Sequence, residues 1–196
     1  MLVTGREDVA EKVRLLRSHG MTSLTWDRHQ GHAYSYDVVE LGYNYRIDEI
    51  RSALGLAQLR KLPRNNARRR EITARYRQIL AGEETDLTLP FFASPGNPAY
   101  HIFPILLPEG TDRLAFIDAL RAAGVQTSIH YPPVHRFSYY QARYPGVSLP
   151  VTEALAARQV TLPLYPGMSD EQVDYVARAV RDGLQVATFR RTSVRT

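Results

Sequence analysis

The chain of 196 residues contains no cysteine, and of its 25 Lys and Arg residues all but Lys12 and Lys61 are arginines. The lack of cysteine excludes disulfides, thiolate catalysis and cysteine-ligated zinc. The six histidines show no HExxH or comparable spacing, so the sequence gives no support for a metal site. Any chemistry that needs a reactive lysine has only these two candidates.

Long apolar runs are missing as well. No segment approaches the roughly 20 apolar residues that span a bilayer. The N-terminal stretch MLVTGREDVAEK also lacks the apolar core of a signal peptide. We therefore expect no membrane association and a cytoplasmic location. Because 44% of the residues are hydrophobic, the chain can still bury a substantial core.

The net charge of +5 comes from arginine, which is concentrated in RKLPRNNARRREITARYR at residues 60–77. Such an excess raises the alternative of an anionic partner such as nucleic acid. The stretch, however, lacks the interleaved aromatic residues of nucleic-acid-binding sites and places Glu71 four residues before Arg75, as in a helical ion pair. We interpret it as the solvent-facing side of a helix and expect no nucleic-acid partner.

The first part of the chain predicts a scrap of strand at residues 2–4, a helix that ends at Gly20, and a loop over residues 21–40. Asp48 is the predicted N-cap of the next helix. Pro63 should end that helix near Lys61, because proline lacks the amide hydrogen. A further helix then runs to about residue 80.

The second part alternates strands with helices. YHIFPILL, VQTSIHY and VTLPLYP are predicted strands, and Pro104 indicates an edge or a bulge in the first. A capped helix follows Thr111, another follows Leu149, and the last opens with a capping box from Ser169 to Gln172. This pattern predicts an α/β or α+β fold in which helices cover a small sheet. The apolar positions predicted to be buried together are Ile102, Ile105, Leu114, Ile117, Leu120, Val125, Ile129, Leu162, Val173, Val176 and Val180.

Two short motifs carry candidate site residues. In GYNYR, directly before a helix, Asn44 offers an amide and Arg46 a guanidinium, and both groups and a helix N-terminus complement a phosphate. A tight turn whose asparagine tolerates a left-handed conformation is the alternative. IHYPPVH places His130, Tyr131 and His135 on a proline-stiffened turn, where they can bond hydroxyls and diphosphate oxygens or simply close the rim of the core.

Five segments, in order, carry a resemblance to a known family: LGYNYRIDEIRSALGLAQLRKL, RRREITARYRQIL, YHIFPILL, GVQTSIHYPPVH and LPVTEALAARQVTLPLYPGMSDEQV. Together they resemble the C-terminal half of the DegT/DnrJ/EryC1/StrS family of pyridoxal-phosphate (PLP)-dependent sugar aminotransferases. The resemblance implies the C-terminal part of a fold-type I aminotransferase, with helices packed on a small, mostly antiparallel sheet. It also implies PLP as cofactor, a keto-sugar nucleotide as substrate and an amino acid as donor.

The resemblance assigns roles to the candidate residues. Asn44 matches an asparagine that contacts the cofactor phosphate of the neighbouring subunit in a homodimer, and Arg46 matches the arginine of the same turn. His130, Tyr131 and His135 match a segment beside the sugar nucleotide. The histidine and glycine of RSHG at residues 17–20 match a further block, for which no individual role is assigned.

The resemblance also implies a domain division. Residues 1–62 would be the end of the large PLP-binding domain with its connecting helix, residues 63–188 the small domain, and residues 189–196 a frayed basic tail. The catalytic lysine of the family lies before the strand that MLVT matches. We expect Lys12, paired with Asp8, and Lys61, at a helix end, to be solvated, so no catalytic residue is assigned.

We therefore expect a truncated aminotransferase that is inactive without the preceding half. The alternative is a non-catalytic binding or dimerisation module derived from the same family.

Overall fold

In the computed structural model, residues 2–22, 36–82, 85–91 and 96–193 are described, the last five of them by backbone alone. The chain divides into two units, Met1–Arg60 and Lys61–Thr196. The boundary falls inside a helix. Part of the loop predicted over residues 21–40 lies outside the described residues.

The first unit contains helix α1, Glu7–Leu16, with Glu7 and Asp8 in its first turn, where carboxylates favour the helix dipole. The strand predicted at residues 2–4 is wrong: these residues are irregular and exposed, so water can satisfy their backbone groups. Among the described residues of this unit only Ser18 and Gly20 are buried. The described residues of this unit therefore form hardly any apolar core.

Helix α2 spans Glu49–Leu80 without interruption. Its predicted N-cap is confirmed, because the Asp48 carboxylate accepts the backbone amide of Arg51 at 2.8 Å. The predicted end near Lys61 is wrong, since Pro63 lies inside the helix. Proline removes the hydrogen bond to the Leu59 carbonyl, but this stretch of helix is exposed, so solvent can replace the missing donor.

The sheet of the second unit pairs β1, Phe103–Leu106, with β2, Gln159–Leu162, in antiparallel register. Thr88 adds a single bridge on the β1 side and Ser128 adds one on the β2 side. The strand predicted over VQTSIHY is thus wrong except at Ser128. Two residues later the backbone amide of His130 donates to the Gln159 side chain at 3.0 Å instead of continuing the ladder.

Pro104 occupies the position in β1 that tolerates a missing donor. In an antiparallel pair alternate residues bond to opposite sides. Leu106, two residues on, exchanges hydrogen bonds with Thr88 at 2.9 and 3.1 Å, so the Pro104 nitrogen faces the Thr88 side too. In the described residues that side carries a single bridge. Because the Pro104 nitrogen faces away from β2, no bond to β2 is lost.

Helices α3, Arg113–Ala122, and α6, Asp170–Ser193, pack together over the sheet. They approach closely at Gly183, where a Cβ would lie 2.6 Å from the Leu120 side chain. The predicted capping box is confirmed: the Ser169 amide donates to Gln172 at 2.9 Å and the Gln172 amide to Ser169 at 3.3 Å. A 3-10 turn, Val134–Arg136, and helices α4, Ser138–Arg143, and α5, Pro150–Arg158, complete the unit.

The architecture confirms the predicted fold class, in which helices cover a small antiparallel sheet. Helix α6 includes residues 189–193 of the predicted tail, and residues 194–196 lie outside the described residues. No helix in the described parts of the chain is both long and apolar enough to cross a membrane.

Most of the predicted core is correct. Ile117 and Ile129 are half-buried, and the buried positions are Ile105, Leu120, Val125, Leu162, Val173, Val176 and Val180. Two positions are wrong, because Ile102 is 36% and Leu114 69% exposed. Ile102 alternates with buried Phe103, and α3 turns Ala115, Phe116 and Leu120 inward rather than Leu114.

The basic stretch of α2 is partly neutralised within the fold. Arg68 lies 2.8 Å from Asp170, and Arg75 binds Asp174 through two hydrogen bonds of 2.7 and 2.6 Å. The predicted Glu71–Arg75 pair is wrong, since Glu71 pairs with Arg68 at 3.0 Å. A two-pronged bond to a facing carboxylate outweighs a single exposed helical pair. The Arg75 guanidinium also lowers the pKa of Asp174 below its ordinary value.

Replacement of Leu120 by alanine tests the inward face of α3. Leu120 is fully buried, so Leu120→Ala should lower the free energy of unfolding by about 2–5 kcal/mol. Leu114→Ala, six residues earlier on the exposed face, is the matched control and should change it by less than about 0.5 kcal/mol. Urea denaturation measures both. Equal losses would show that the helix face is assigned incorrectly.

Candidate functional site

The first candidate motif lies where two backbone segments pair in the first unit. The His19 amide donates to the Tyr43 carbonyl at 2.9 Å, and the Tyr45 amide donates to the Arg17 carbonyl at 3.0 Å. This antiparallel contact places Asn44 opposite Ser18. The RSHG and GYNYR segments, far apart in sequence, are therefore one structural feature, which we call the backbone crossing.

Two glycines make the backbone crossing possible. Gly20 adopts a left-handed conformation with φ of +68°, and a Cβ there would overlap the Glu40 carbonyl. A Cβ on Gly42 would overlap the backbone of His19 and Gly20. The role left unassigned for Gly20 is therefore close backbone packing, which sets the position of the residues that follow Gly42.

The backbone crossing presents an amide and a guanidinium close together in sequence. Arg46 donates through Nε to the buried Ser18 hydroxyl at 3.4 Å. Asn44 is exposed, and its side-chain amide forms no hydrogen bond with another described residue. An amide and a guanidinium two residues apart in sequence are donors of the kinds that bind a phosphate. These residues therefore fit a phosphate-bearing cofactor.

The N-terminus of α2 contributes less to this site than its position in sequence indicates. Asp48 already occupies the Arg51 amide, and its carboxylate also lies 3.4 Å from the Arg51 guanidinium. A bound anion would meet this negative charge at the helix end. The donors that suit a phosphate here are therefore the side chains of Asn44 and Arg46 rather than the amides of the helix end.

Neither lysine has the surroundings that the sequence predicted. Lys12 pairs with Glu40 and not with Asp8, which accepts instead from Arg6 at 3.1 Å. Glu40 lies within reach of Lys12 because the chain returns beside α1 at this residue. Asp8 pairs instead with Arg6, which is two residues away in sequence. Lys61 is exposed but lies inside α2 rather than at a helix end.

The second candidate motif lies at the end of the sheet in the second unit. His130 is held by β2: its Nδ1 lies 3.0 Å from the Thr161 hydroxyl, and Gln159 Nε2 donates to that same hydroxyl at 2.8 Å. Gln159 and Thr161 are buried. Tyr131, joined to His130 by a cis peptide bond, packs against the His130 ring at 4.9 Å and is 73% exposed.

His135 is held by a different element. Its Nε2 lies 2.8 Å from Glu153 Oε1 on α5, and the Leu149 amide donates to the same oxygen at 3.0 Å. Arg136 donates to the other oxygen. The Leu149 amide, His135 and Arg136 together lower the pKa of Glu153 to about 2. Because this carboxylate accepts from Nε2, only Nδ1 of His135 is left for a ligand.

The two histidines therefore share a segment but not a partner, and no hydrogen bond joins them. Sequence reasoning missed Glu153, which holds the 3-10 turn to α5, and Gln159 and Thr161, which hold His130. A signal for Glu153 existed, because an acid in the first turn of a helix often reaches back to the N-cap amide. Among the described residues no group of three or more acidic or histidine side chains could hold a metal ion.

The low pKa of Glu153 predicts acid sensitivity. Its contribution to stability is complete above the ordinary glutamate pKa of 4.5 and is lost as the pH falls toward about 2. We expect Glu153→Gln, which keeps an acceptor oxygen, to flatten the pH dependence of the urea midpoint between about pH 5 and 2. Glu109→Gln, at a carboxylate that is 88% exposed, is the control and should leave the slope unchanged. A wild-type slope in Glu153→Gln would contradict the assignment.

Comparison with known proteins supports the family that the sequence motifs resemble. Residues 1–181 match the model of the DegT/DnrJ/EryC1/StrS aminotransferase family. Among solved structures, the chain is similar to Helicobacter pylori PseC, an aminotransferase involved in the biosynthesis of pseudoaminic acid, with 27% identity and a TM-score of 0.83 over 93% of this chain and 48% of that one.

S. venezuelae DesV is 32% identical, with a TM-score of 0.77 over 92% of this chain and 45% of that one. The putative sugar aminotransferase Spr1654 of Streptococcus pneumoniae, in its PMP-form, is 26% identical, with a TM-score of 0.77 over 91% and 45%. The chain thus spans about half the length of the proteins it matches. Members of this family depend on PLP, as the resemblance of the chain to the family implied.

Proposed function

Because the chain belongs to the DegT/DnrJ/EryC1/StrS aminotransferase family, we propose that it forms the C-terminal portion of a cytoplasmic, PLP-dependent enzyme that aminates a keto-sugar nucleotide. The amino group would come from an amino-acid donor. The observation that carries this proposal is the backbone crossing. It pairs Asn44 with Ser18 and bonds Arg46 to the same serine, so that one feature fixes both residues. The Asn44 side-chain amide forms no hydrogen bond with another described residue.

PLP, when bound, supplies the electron sink that amino transfer requires. In our proposal the Asn44 amide donates to the cofactor phosphate and Arg46 balances its charge, across the interface of a homodimer. Tyr131 contributes an exposed hydroxyl to the substrate, and His130 is oriented for it by Thr161. His135 contributes only Nδ1, because Glu153 engages its other nitrogen.

The exposed apolar surface of the first unit indicates that another protein segment covers it. Exposed apolar side chains on its surface include Leu41 at 83%, Tyr45 at 75%, Ile47 at 66% and Ile50 at 83%. Apolar surface of this extent marks a contact with other protein. We propose that the remainder of a large domain and a second copy of the chain provide that contact.

A non-catalytic dimerisation module is the second candidate, favoured by the environments of the two lysines. Lys12 is ion-paired with Glu40, and Lys61 is exposed on α2. Neither matches a lysine that binds the cofactor covalently, which must lose its proton. The proposed enzyme therefore needs a lysine from outside residues 1–196. Aminotransferase activity of the assembled protein would favour the enzyme over the non-catalytic module.

Covalent labelling tests the two lysines directly. We expect no stoichiometric phosphopyridoxyl group on Lys12 or Lys61 after the chain is incubated with PLP, reduced with borohydride and mapped by peptide mass spectrometry. Trace labelling of both surface amines to a similar extent is the background. A stoichiometric label on one of them, lost together with transamination when that lysine is replaced, would show that this chain carries its own catalytic lysine.

Loss of the Asn44 amide tests the phosphate contact. With a lysine-bearing large-domain segment supplied, Asn44→Ala should weaken PLP retention by about 10-fold or more, since it removes a charge-assisted hydrogen bond. Thermal unfolding should be unchanged, because Asn44 is exposed. Asn65→Ala on α2 is the control and should retain PLP as the wild type does. Equal retention by both variants, measured by dialysis and absorbance, would refute the assignment of Asn44.

A further inference from the structure

A cavity of about 330 Å³ lies in the second unit between the end of α3, the segment that follows β2 and the first turns of α6. Pro163, directly after β2, lines this cavity, whereas His130 is held at Gln159, the first residue of the strand. The four residues of β2 span about 13 Å. The residues assigned above to the cofactor and the substrate are not among the described residues that line the cavity. Its volume lies in the range of roughly 300–1,000 Å³ that holds small molecules.

The deep part of the cavity is apolar. Val125, Met168 and Val176 line it, and all three residues are buried. A ligand that covers these side chains gains free energy because apolar surface is removed from water. The cavity therefore favours a ligand with hydrocarbon groups over a small hydrated ion.

Two tyrosine rings line the outer part of the cavity. Tyr165 is 49% exposed and Tyr175 is 48% exposed, so part of each ring is open to a ligand. The Tyr175 hydroxyl donates to the Ala123 carbonyl at 2.8 Å, which fixes this side chain at the end of α3. A Cβ on Gly167 would lie 3.6 Å from the Tyr165 ring, so the backbone packs beside that ring as well. The faces of such rings carry partial negative charge and attract cations.

The charge at this cavity is negative, although the chain has a net charge of +5. Glu171 is the one charged side chain among the described residues that line it. No basic side chain in the described part of the chain forms an ion pair with this carboxylate. The nearby Arg75 is bound instead by Asp170 and Asp174. A cation in the cavity would therefore meet a carboxylate without a counter-ion, beside two aromatic rings.

These features together select one class of ligand. A metal ion would find a single carboxylate, which is fewer anionic ligands than hard cations take. An anion would be repelled by Glu171, and a neutral apolar molecule would remove water from this carboxylate without replacing it. A charged nitrogen with hydrocarbon substituents satisfies the carboxylate, the rings and the apolar surface at once.

We propose that this cavity binds an organic cation of the substituted-ammonium class. The charged nitrogen lies against Tyr165 and Tyr175, Glu171 is its counter-ion, and the hydrocarbon groups cover the apolar deep part. This inference goes beyond the proposed function and does not rest on it, because binding here involves neither PLP nor a sugar nucleotide.

The test titrates the complete 196-residue chain by calorimetry with choline and with dimethylbutanol, in buffers of matched ionic strength. The two probes have nearly the same shape, but the alcohol has a carbon atom in place of the charged nitrogen. Choline should bind saturably and at least about tenfold more tightly than the alcohol, as expected for a cation held by aromatic faces and a carboxylate.

Two substitutions separate the ring from the carboxylate. Tyr165→Leu keeps apolar bulk but removes the aromatic face, and Glu171→Gln removes the charge with little change in shape. Each should weaken choline binding at least about fivefold. The matched controls are Tyr139→Leu and Glu109→Gln, at exposed residues of the same unit that do not line the cavity. Both controls should bind choline within about twofold of the wild type.

Urea denaturation of each variant separates a loss of binding from a loss of folding. Because Glu171 is exposed, Glu171→Gln should keep the wild-type urea midpoint. The result for Glu171→Gln therefore decides the proposal even if Tyr165→Leu destabilises the unit.

Three results would overturn the proposal: no saturable binding of choline, equal binding of choline and dimethylbutanol, or equal losses in Glu171→Gln and Glu109→Gln. Sedimentation tests another occupant, a basic side chain from a second copy of the chain. Self-association that Glu171→Gln abolishes and that choline does not weaken would assign this face to a contact between copies and would also overturn the small-molecule site.

Discussion

The antiparallel pairing of β1 with β2 is the constraint on which the second unit depends. Every residue of β2 is buried, so both faces of this short strand are in use. Val160 and Leu162 enter the core that α3 and α6 cover, whereas Gln159 and Thr161 bind His130. Helix α5 continues directly into β2, so the register of β2 also sets where α5 lies. The position of Glu153, and through it that of His135, follows from the same pairing.

The first unit is organised by a different physical constraint. Its described residues bury almost no apolar side chains, and backbone hydrogen bonds join residues 16–20 to residues 42–46 across the backbone crossing. Glycine at positions 20 and 42 permits a backbone separation that any side chain would prevent. Such an arrangement holds Asn44 and Arg46 in place but leaves apolar surface uncovered. The fixed positions of Asn44 and Arg46 and the incomplete burial of apolar side chains therefore both follow from the backbone crossing.

Carboxylates at helix starts organise much of the positive charge. Glu153 holds His135 and Arg136, Asp174 holds Arg75, and Asp170 holds Arg68. In each case the acid lies in the first turns of a helix, where its charge is favourable. A net charge of +5 consequently does not mean a uniformly cationic surface. The Arg143 guanidinium instead lies 5.9 Å from the centre of the Tyr144 ring.

The sequence by itself determined the features whose partners are near in the chain: the cap at Asp48, the capping box at Ser169, and most of the buried faces, together with the family, which five ordered motifs carry. It determined where Asn44, His130 and His135 lie along the chain, but not what holds them. The tertiary structure alone decided that α2 continues through Pro63, that Phe116 rather than Leu114 turns inward, and that Arg75 binds an acid 99 residues away. Local patterns fix contacts within a turn or two, whereas these outcomes depend on which distant side chains packing brings within hydrogen-bond reach.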